Sequence, residues 1–282
     1  MPVVDRSARD PLRRLQPSRR HALVLLAAAL SACGGGGSTG DPPSQPSGQV
    51  ISFTLVSQNT GAAYAIQVWL PASYASGTGL LPVIYATEGD APYGPGGQPR
   101  FDAFKDVMQR RGTQAILVGI GGTQRRNSDF LLPGAASYLQ FVATELAPAI
   151  ERQYRADAKR RALSGLSHGG YFVVAALVLE APSGNLSFSH YLSTDSSFGT
   201  HGNASGYLQY EQSIAGRALP ATLFLAGAQN FNGPMVRALY EQMTAEAHPG
   251  LTLAHAEYNS THVGSDLPAF EDALSRYFAA PR

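Results

Sequence analysis

The sequence predicts an α/β domain in which about eight mostly parallel strands form one sheet with helices on both faces. Apolar, β-rich runs alternate with helical patterns from Val50 onward, which is typical of a parallel sheet covered on both sides. The first two runs are separated only by Gln58–Gly61, which predicts an antiparallel hairpin at one edge. A glycine-flanked serine lies between a strand-like run and a helix-like run, and it marks the candidate site.

Each predicted strand is a short run of apolar and β-branched residues bounded by Gly, Pro, Asn or Asp. The hairpin strands are Val50–Ser57 and Tyr64–Leu70. The other predicted strands are Leu81–Thr87, Ala115–Ile120, Lys159–Ser164, Phe188–Ser193, Ala221–Ala226 and Leu251–Tyr258.

The predicted helices fill the intervals between these strands. Ala136–Tyr154 has the pattern of a long amphipathic helix with Pro148 inside it, and Tyr171–Leu179 is apolar enough for a buried helix. The remaining predicted helices are Phe101–Gln109, Pro234–Ala245 and Leu267–Ala279. No long insertion separates the later elements, so a large separate lid is not expected.

Residues 1–32 are expected to be a signal peptide outside the folded domain. Arg13, Arg14, Arg19 and Arg20 form a basic region before the apolar run Ala22–Leu30, which is too short to span a membrane. The tetrad Leu30-Ser31-Ala32-Cys33 resembles the lipobox of bacterial lipoproteins, which implies a lipid-modified Cys33. We therefore expect an exported protein anchored by lipid in the bacterial cell envelope, on the periplasmic or outer-membrane face. An ordinary secretory signal is the alternative, and Ser18-Arg19-Arg20 leaves export by either the Sec or the twin-arginine route open.

Residues 33–48 are rich in Gly, Pro and Ser and are expected to form a flexible tether before a single domain at 49–282. Of 21 basic and 20 acidic groups, six arginines and two aspartates lie in residues 1–32, which leaves 15 basic and 18 acidic groups. A net charge of about −3 argues against a nucleic-acid partner.

The hexapeptide Gly165-Leu166-Ser167-His168-Gly169-Gly170 has the G-x-S-x-G pattern of a serine nucleophile at a strand-to-helix turn. The flanking glycines allow a sharp turn and close packing of the helix on the strand, so that the Ser167 hydroxyl projects above the sheet. The alternative is a plain glycine-rich turn.

A serine hydroxyl needs a base, and His262 is the candidate. It lies in the polar segment Asn259–Ser265, between the last strand and the last helix. The alternative is a structural histidine that bonds to the loop backbone. Stabilisation of an oxyanion needs two main-chain amides, one from His168 and one from the loop after the third strand.

The third catalytic residue is ambiguous in the sequence. The stretch after the seventh strand, Leu225–Gly233, contains no carboxylate. Asp195 at the end of the sixth strand is the preferred substitute, and the alternative for it is a turn or cap residue without a catalytic role. The alternatives are an amide of Gln229 or Asn230, another acid such as Glu257, or a Ser-His dyad.

Several motifs together resemble the esterase family of the α/β-hydrolase fold, which includes siderophore (enterobactin-type) esterases, esterase D-like enzymes and mycolyltransferases. The resemblance covers residues 65–280. The motifs are Leu81–Tyr85 before Glu88-Gly89-Asp90, Ile116–Ile120 before Arg126-Asn127-Ser128-Asp129, Leu146–Glu151 with Tyr154-Arg155, the serine elbow, and Thr261-His262.

The resemblance implies an α/β-hydrolase fold with Ser167 as nucleophile, His262 as base, and the amides of Asp90 and His168 as oxyanion donors. It implies no metal or cofactor. Arg126 and Asp129 are interpreted as a structural ion pair in preference to substrate contacts. Few other groups mark the predicted rim, namely Tyr93, Arg100 and Arg125; the arginines are either anion-binding or merely solvated.

The leading hypothesis is a serine-dependent carboxylic ester hydrolase that works through an acyl-enzyme on siderophore-type or other small esters. An acyltransferase on the same site is one alternative. The other is a non-catalytic, surface-anchored binding protein that has lost its catalytic acid.

Overall fold

One sheet of eight strands organises the chain in the computed structural model, which describes residues 48–198 and 214–279. The strands are β1 Gln49–Val56, β2 Ala63–Leu70, β3 Leu81–Ala86, β4 Ile116–Ile120, β5 Ala156–Leu166, β6 His190–Thr194, β7 Thr222–Ala228 and β8 Thr252–Tyr258. The predicted number of strands and their order along the chain are confirmed.

The strand order is β1-β2-β4-β3-β5-β6-β7-β8. β2 runs antiparallel to β1 and β4, which confirms the hairpin, and every other pairing is parallel. Because parallel strands end at the same edge, the loops after β3, β5, β6, β7 and β8 lie together. In open α/β sheets this carboxyl edge is where ligands bind.

The helices cover both faces of the sheet. They are α1 Arg100–Arg110, α2 Arg126–Asp129, α3 Gly134–Gln140, α4 Ala147–Gln153, α5 His168–Glu180, α6 Gly233–Glu246 and α7 Asp266–Tyr277. Phe104 of α1 stacks on Phe270 of α7 in the core of one face, with ring centroids 3.6 Å apart. Tyr138 of α3 packs edge-on to Phe172 of α5 in the core of the other, at 5.0 Å.

The predicted long helix around Pro148 is helical throughout, but a π-helical turn at Phe141–Leu146 separates α3 from α4. Proline lacks an amide hydrogen and its ring collides with the carbonyl four residues earlier in a regular α-helix. A wider turn immediately before Pro148 avoids that collision.

The predicted signal peptide, Cys33 and all but the last residue of the tether lie outside the described residues. Within residues 48–198 and 214–279 no inserted lid domain is present. No helix in this part of the chain combines the length and the apolar character needed to cross a bilayer.

Candidate active site

Ser167 occupies a strained turn between β5 and α5. Its backbone has φ 60° and ψ −117°, in the left-handed half of conformational space that side chains usually avoid. A Cβ on Gly165 would collide with the main chain of Gly169, so the glycine allows α5 to begin directly after the strand. The Ser167 amide donates to the main-chain oxygen of Thr194 at 3.0 Å, which fixes the turn against β6.

His262 lies in the loop between β8 and α7, where the sequence places it, and contacts Asp195. Its Nδ1 is 2.5 Å from Asp195 Oδ2. The Asp195 side chain is fully buried, whereas the imidazole is 21% exposed. A buried carboxylate in this position holds the ring orientation and stabilises an imidazolium.

Three further contacts hold Asp195 at the junction of β6 and β7. Its Oδ1 accepts the amide hydrogen of Ala228 at 2.9 Å, and the Asn232 side-chain amide donates to its main-chain oxygen at 2.8 Å. Its own amide donates to Ala226 at 2.7 Å. Because β6 and β7 are neighbouring parallel strands, a carboxylate that follows β6 lies beside the last residue of β7.

In the described residues, the other candidates for the third residue form no hydrogen bond with the imidazole. Gln229 and Asn230 are exposed in the turn after β7. Glu257 instead forms a two-point ion pair with Arg237, with distances of 2.6 and 2.5 Å. Of these candidates, Asp195 is the one within hydrogen-bond reach of Nδ1.

The Ser167 hydroxyl lies 3.0 Å from the Ser197 hydroxyl. Within the described residues, the Ser167 side chain forms this hydrogen bond and forms none with His262. Hydrogen bonds of a catalytic serine often tighten only when substrate is bound.

The loop after β3 is turned toward the elbow. The Gly89 amide donates to Ile120 at 2.9 Å, and the Asp90 carboxylate accepts the Gly122 amide at 3.1 Å, so the loop is fixed to the segment after β4. In the described part of the chain, the Asp90 amide itself donates to no carbonyl. His168 is the first residue of α5, where main-chain amides point out of the helix end.

The ion pairs of the predicted rim differ from the expectation. Asp129 pairs with Arg125 at 2.9 Å, not with Arg126. Arg126 pairs instead with Glu88, at 3.1 Å. The spacing of four residues on one helical turn favours the Arg125 pair, because side chains four apart face each other.

Arg100 is not a rim residue. It is fully buried and forms a two-point ion pair with Asp266, with distances of 2.7 and 2.9 Å. Its remaining donors reach the main-chain oxygen of Thr87 at 2.8 Å and the Ser164 hydroxyl at 3.0 Å. Every charge-bearing group of this cluster therefore has a partner, as burial requires.

Glu88 lies in the loop after β3, and its side chain is buried. Its Oε1 accepts the Tyr93 hydroxyl at 2.9 Å and pairs with Arg126. A Cβ added to Gly169 would lie 2.8 Å from its Oε2, so the carboxyl group touches the first turn of α5. Burial raises the pKa of Glu88 to about 7, although Arg126, Arg100 and the Tyr93 hydrogen bond oppose the shift.

A raised carboxyl pKa predicts that Glu88 destabilises the fold as the pH rises. Folding favours the protonated form, so the contribution of Glu88 is fully present below its unfolded pKa and is lost as the pH passes through about 7. The shift corresponds to about 3 kcal/mol. We expect the stability of Glu88→Gln relative to wild type to increase by about this amount between pH 5 and pH 8, measured by urea unfolding.

Glu271→Gln, which removes a solvent-exposed carboxylate, is the matched control, and its difference from wild type should stay nearly constant with pH. A Glu88→Gln difference that also stays constant contradicts the raised pKa.

The other histidines of the described residues have structural surroundings. His190 Nδ1 is 2.9 Å from the Ser189 hydroxyl, and His248 Nε2 is 2.9 Å from Glu246. His255 lies 3.7 Å from Glu257. The described residues contain no group of three or more His, Cys, Asp or Glu side chains that could hold a metal ion.

Sequence reasoning missed three residues of the site. Asn232 and Ser197 hold the acid and the serine hydroxyl, and Phe231 stacks on His262 with ring centroids 4.5 Å apart. Phe231 and Asn232 immediately follow the amide candidate Asn230. The signal for Phe231 in the sequence is a phenylalanine within the otherwise polar turn Gln229–Gly233.

The sheet order, the serine at the β5–α5 elbow and the His262–Asp195 contact define the class of the protein as a serine hydrolase of the α/β-hydrolase fold. The family described as "Putative esterase" matches residues 57–212, more than half of the chain. The protein belongs to this family, which confirms the resemblance found in the sequence.

Several characterised and solved proteins are similar to the chain. Ferri-bacillibactin esterase BesA of Bacillus subtilis (strain 168) is 24% identical over 265 residues, which cover 80% of this chain and 88% of BesA. An IroE-like serine hydrolase from Shewanella oneidensis superposes with a TM-score of 0.69 at 24% identity, over 83% of this chain and 82% of that one. The siderophore hydrolase EstA from Aspergillus nidulans gives a TM-score of 0.67 at 19% identity, over 84% and 96%.

Proposed function

We propose that the protein hydrolyses small carboxylic esters through an acyl-enzyme on Ser167. The observation that carries the proposal is the 2.5 Å contact between His262 Nδ1 and the buried Asp195 carboxylate. With Nδ1 protonated toward Asp195, Nε2 is left as the acceptor for the proton of the serine hydroxyl.

In the first half of the reaction, the Ser167 oxygen attacks the ester carbonyl and its proton passes to His262 Nε2. The amides of His168 and Asp90 then stabilise the oxyanion. When the intermediate collapses, the bond to the alcohol oxygen breaks and that oxygen takes the proton from Nε2. Water repeats the sequence on the acyl-serine, which releases the acid and restores the hydroxyl.

The substrates that we propose are siderophore-type or other small esters. The names of BesA, which is a ferri-bacillibactin esterase, and of the siderophore hydrolase EstA favour this class. The alternative of a non-catalytic binding protein depends on a missing acid, and the contact between Asp195 and His262 supports the hydrolase instead.

We also propose that the mature enzyme begins at Cys33 and is held in the bacterial cell envelope by lipid on this residue. The basic, apolar and lipobox segments before it support this proposal. Radiolabelled palmitate should enter the wild-type protein and not Cys33→Ser. A wild-type product without lipid would overturn the anchor.

Covalent labelling tests the catalytic proposal. A fluorophosphonate should add one phosphonyl group to the folded protein, and peptide fragmentation should locate it on Ser167. Ser197, 3.0 Å away, is the internal control and should remain unmodified. If the folded protein is not labelled at Ser167, the proposal is wrong.

A further inference from the structure

The turn after β7 and the loop after β8 enclose a groove of about 660 Å³ directly beside His262. The groove is lined by Phe231 and Val263, by the polar residues Asn230, Asn259, Ser260 and Thr261, and by His262 itself. Its lining in the described residues includes no Asp, Glu, Lys or Arg. An apolar surface with a few neutral hydrogen-bonding groups is typical of a site for a small uncharged group.

Phe231 distinguishes this groove from the rest of the described surface. It is 58% exposed, and the other exposed large hydrophobic side chains of the described residues are all aliphatic: Val50, Val56 and Leu80. Its ring stacks on the imidazole of His262 with an interplanar angle of 26°. A hydrogen bond of 3.0 Å from its amide to Ala228 fixes the turn that presents the ring.

The chemistry of the proposed reaction decides which part of a substrate meets this groove. The alcohol oxygen of the ester must take a proton from His262 Nε2, so the atoms attached to that oxygen lie closest to the histidine. The acyl carbon is instead held between Ser167 and the oxyanion amides, on the side of β3 and β5.

We infer that this groove is the subsite for the alcohol part of the ester and that it selects an uncharged aromatic alcohol whose ring stacks on Phe231. The inference rests on the proposed esterase function. It adds the chemical class of the leaving group, because a flat exposed ring gains most from a flat aromatic partner.

The test uses matched pairs of esters that differ only in whether a six-membered ring is aromatic. Benzyl acetate and cyclohexylmethyl acetate carry the ring on the alcohol. Wild type should favour the benzyl ester in kcat/KM by about 3- to 10-fold, the range expected of an aromatic pair. Phe231→Leu should reduce this ratio to near one, and Phe231→Tyr should preserve it. Any effect of Phe231 on His262 itself cancels in the ratio.

Methyl phenylacetate and methyl cyclohexylacetate carry the ring on the acyl side and release the same alcohol. Their ratio should be the same in wild type and Phe231→Leu. If Phe231→Leu changes the acyl ratio and leaves the alcohol ratio unchanged, the groove holds the acyl group and the inference is overturned. A wild-type alcohol ratio near one also overturns it.

Binding of the product alcohol separates this inference from the esterase proposal. Saturation-transfer NMR should detect benzyl alcohol on wild type more strongly than cyclohexylmethanol, and more weakly on Phe231→Leu than on wild type. If no ester is hydrolysed, the esterase function fails while this measurement still decides the subsite. If esters are hydrolysed but benzyl alcohol has no advantage, only the subsite fails.

Discussion

Ser167→Ala should lower the kcat for p-nitrophenyl acetate by about 10⁵-fold or more, because no acyl-enzyme can form without the hydroxyl. The substitution removes one oxygen from a side chain that is 7% exposed, at a turn whose backbone is fixed by Thr194 and Gly165. The fold should therefore be retained. Burst kinetics on wild type should show one equivalent of p-nitrophenol released before the steady state.

The control is Ser197→Ala, since its hydroxyl is the neighbour of the Ser167 hydroxyl at 3.0 Å. We expect this variant to stay within about tenfold of wild type, because a hydroxyl that contacts the resting nucleophile is not required for proton transfer. If Ser197→Ala were inactive and Ser167→Ala active, the nucleophile would be assigned to the wrong serine.

Asp195→Asn should reduce kcat by about 10³- to 10⁴-fold while leaving KM nearly unchanged. The loss of kcat follows from the two hydrogen-bond partners of the carboxylate, the Ala228 amide and His262. The Ala228 amide requires an acceptor at the position of Oδ1, so an asparagine places its oxygen there and its NH₂ group toward His262. Nδ1 must then be the unprotonated nitrogen, the hydrogen moves to Nε2, and the base can no longer accept the serine proton.

Glu257→Gln and Gln229→Ala are the matched controls. Glu257 pairs with Arg237, and Gln229 is exposed and does not line the groove. Neither forms a hydrogen bond with Nδ1, so both variants should retain activity within about tenfold of wild type. An Asp195→Asn enzyme with wild-type kcat would show that the contact with His262 is not used in catalysis. Strong loss in Gln229→Ala would favour an amide as the orienting group.

Periodicity and turn residues were sufficient to predict the strands, the hairpin and the serine elbow. These depend on short stretches of chain, where apolar runs and glycines act locally. The position of Asp195 could also be predicted, because neighbouring parallel strands bring the residues after β6 and β7 close together. The contact itself depends on a strained backbone at Asp195, with φ 39°, that no local pattern specifies.

The burial and the ion-pair partners of the arginines could not be predicted from sequence patterns. Arg100, Arg125 and Arg126 are all close to Pro- and Gly-rich loops, yet one is fully buried and the others pair with Asp129 and Glu88. The partner of Arg100 is Asp266, 166 residues away in the chain. Only the packing of α1 against α7 brings these two residues together, and a separation of that length leaves no local signal.

The buried guanidinium of Arg100 has a consequence for how the enzyme loses activity. It bonds to Thr87, Ser164 and Asp266. Thr87 precedes the loop after β3, Ser164 precedes the Ser167 turn, and Asp266 follows the His262 loop. One side chain therefore connects the three segments on which the proposed chemistry depends. We expect heat or denaturant to unfold these segments together, so that activity is lost in the same transition as the fold.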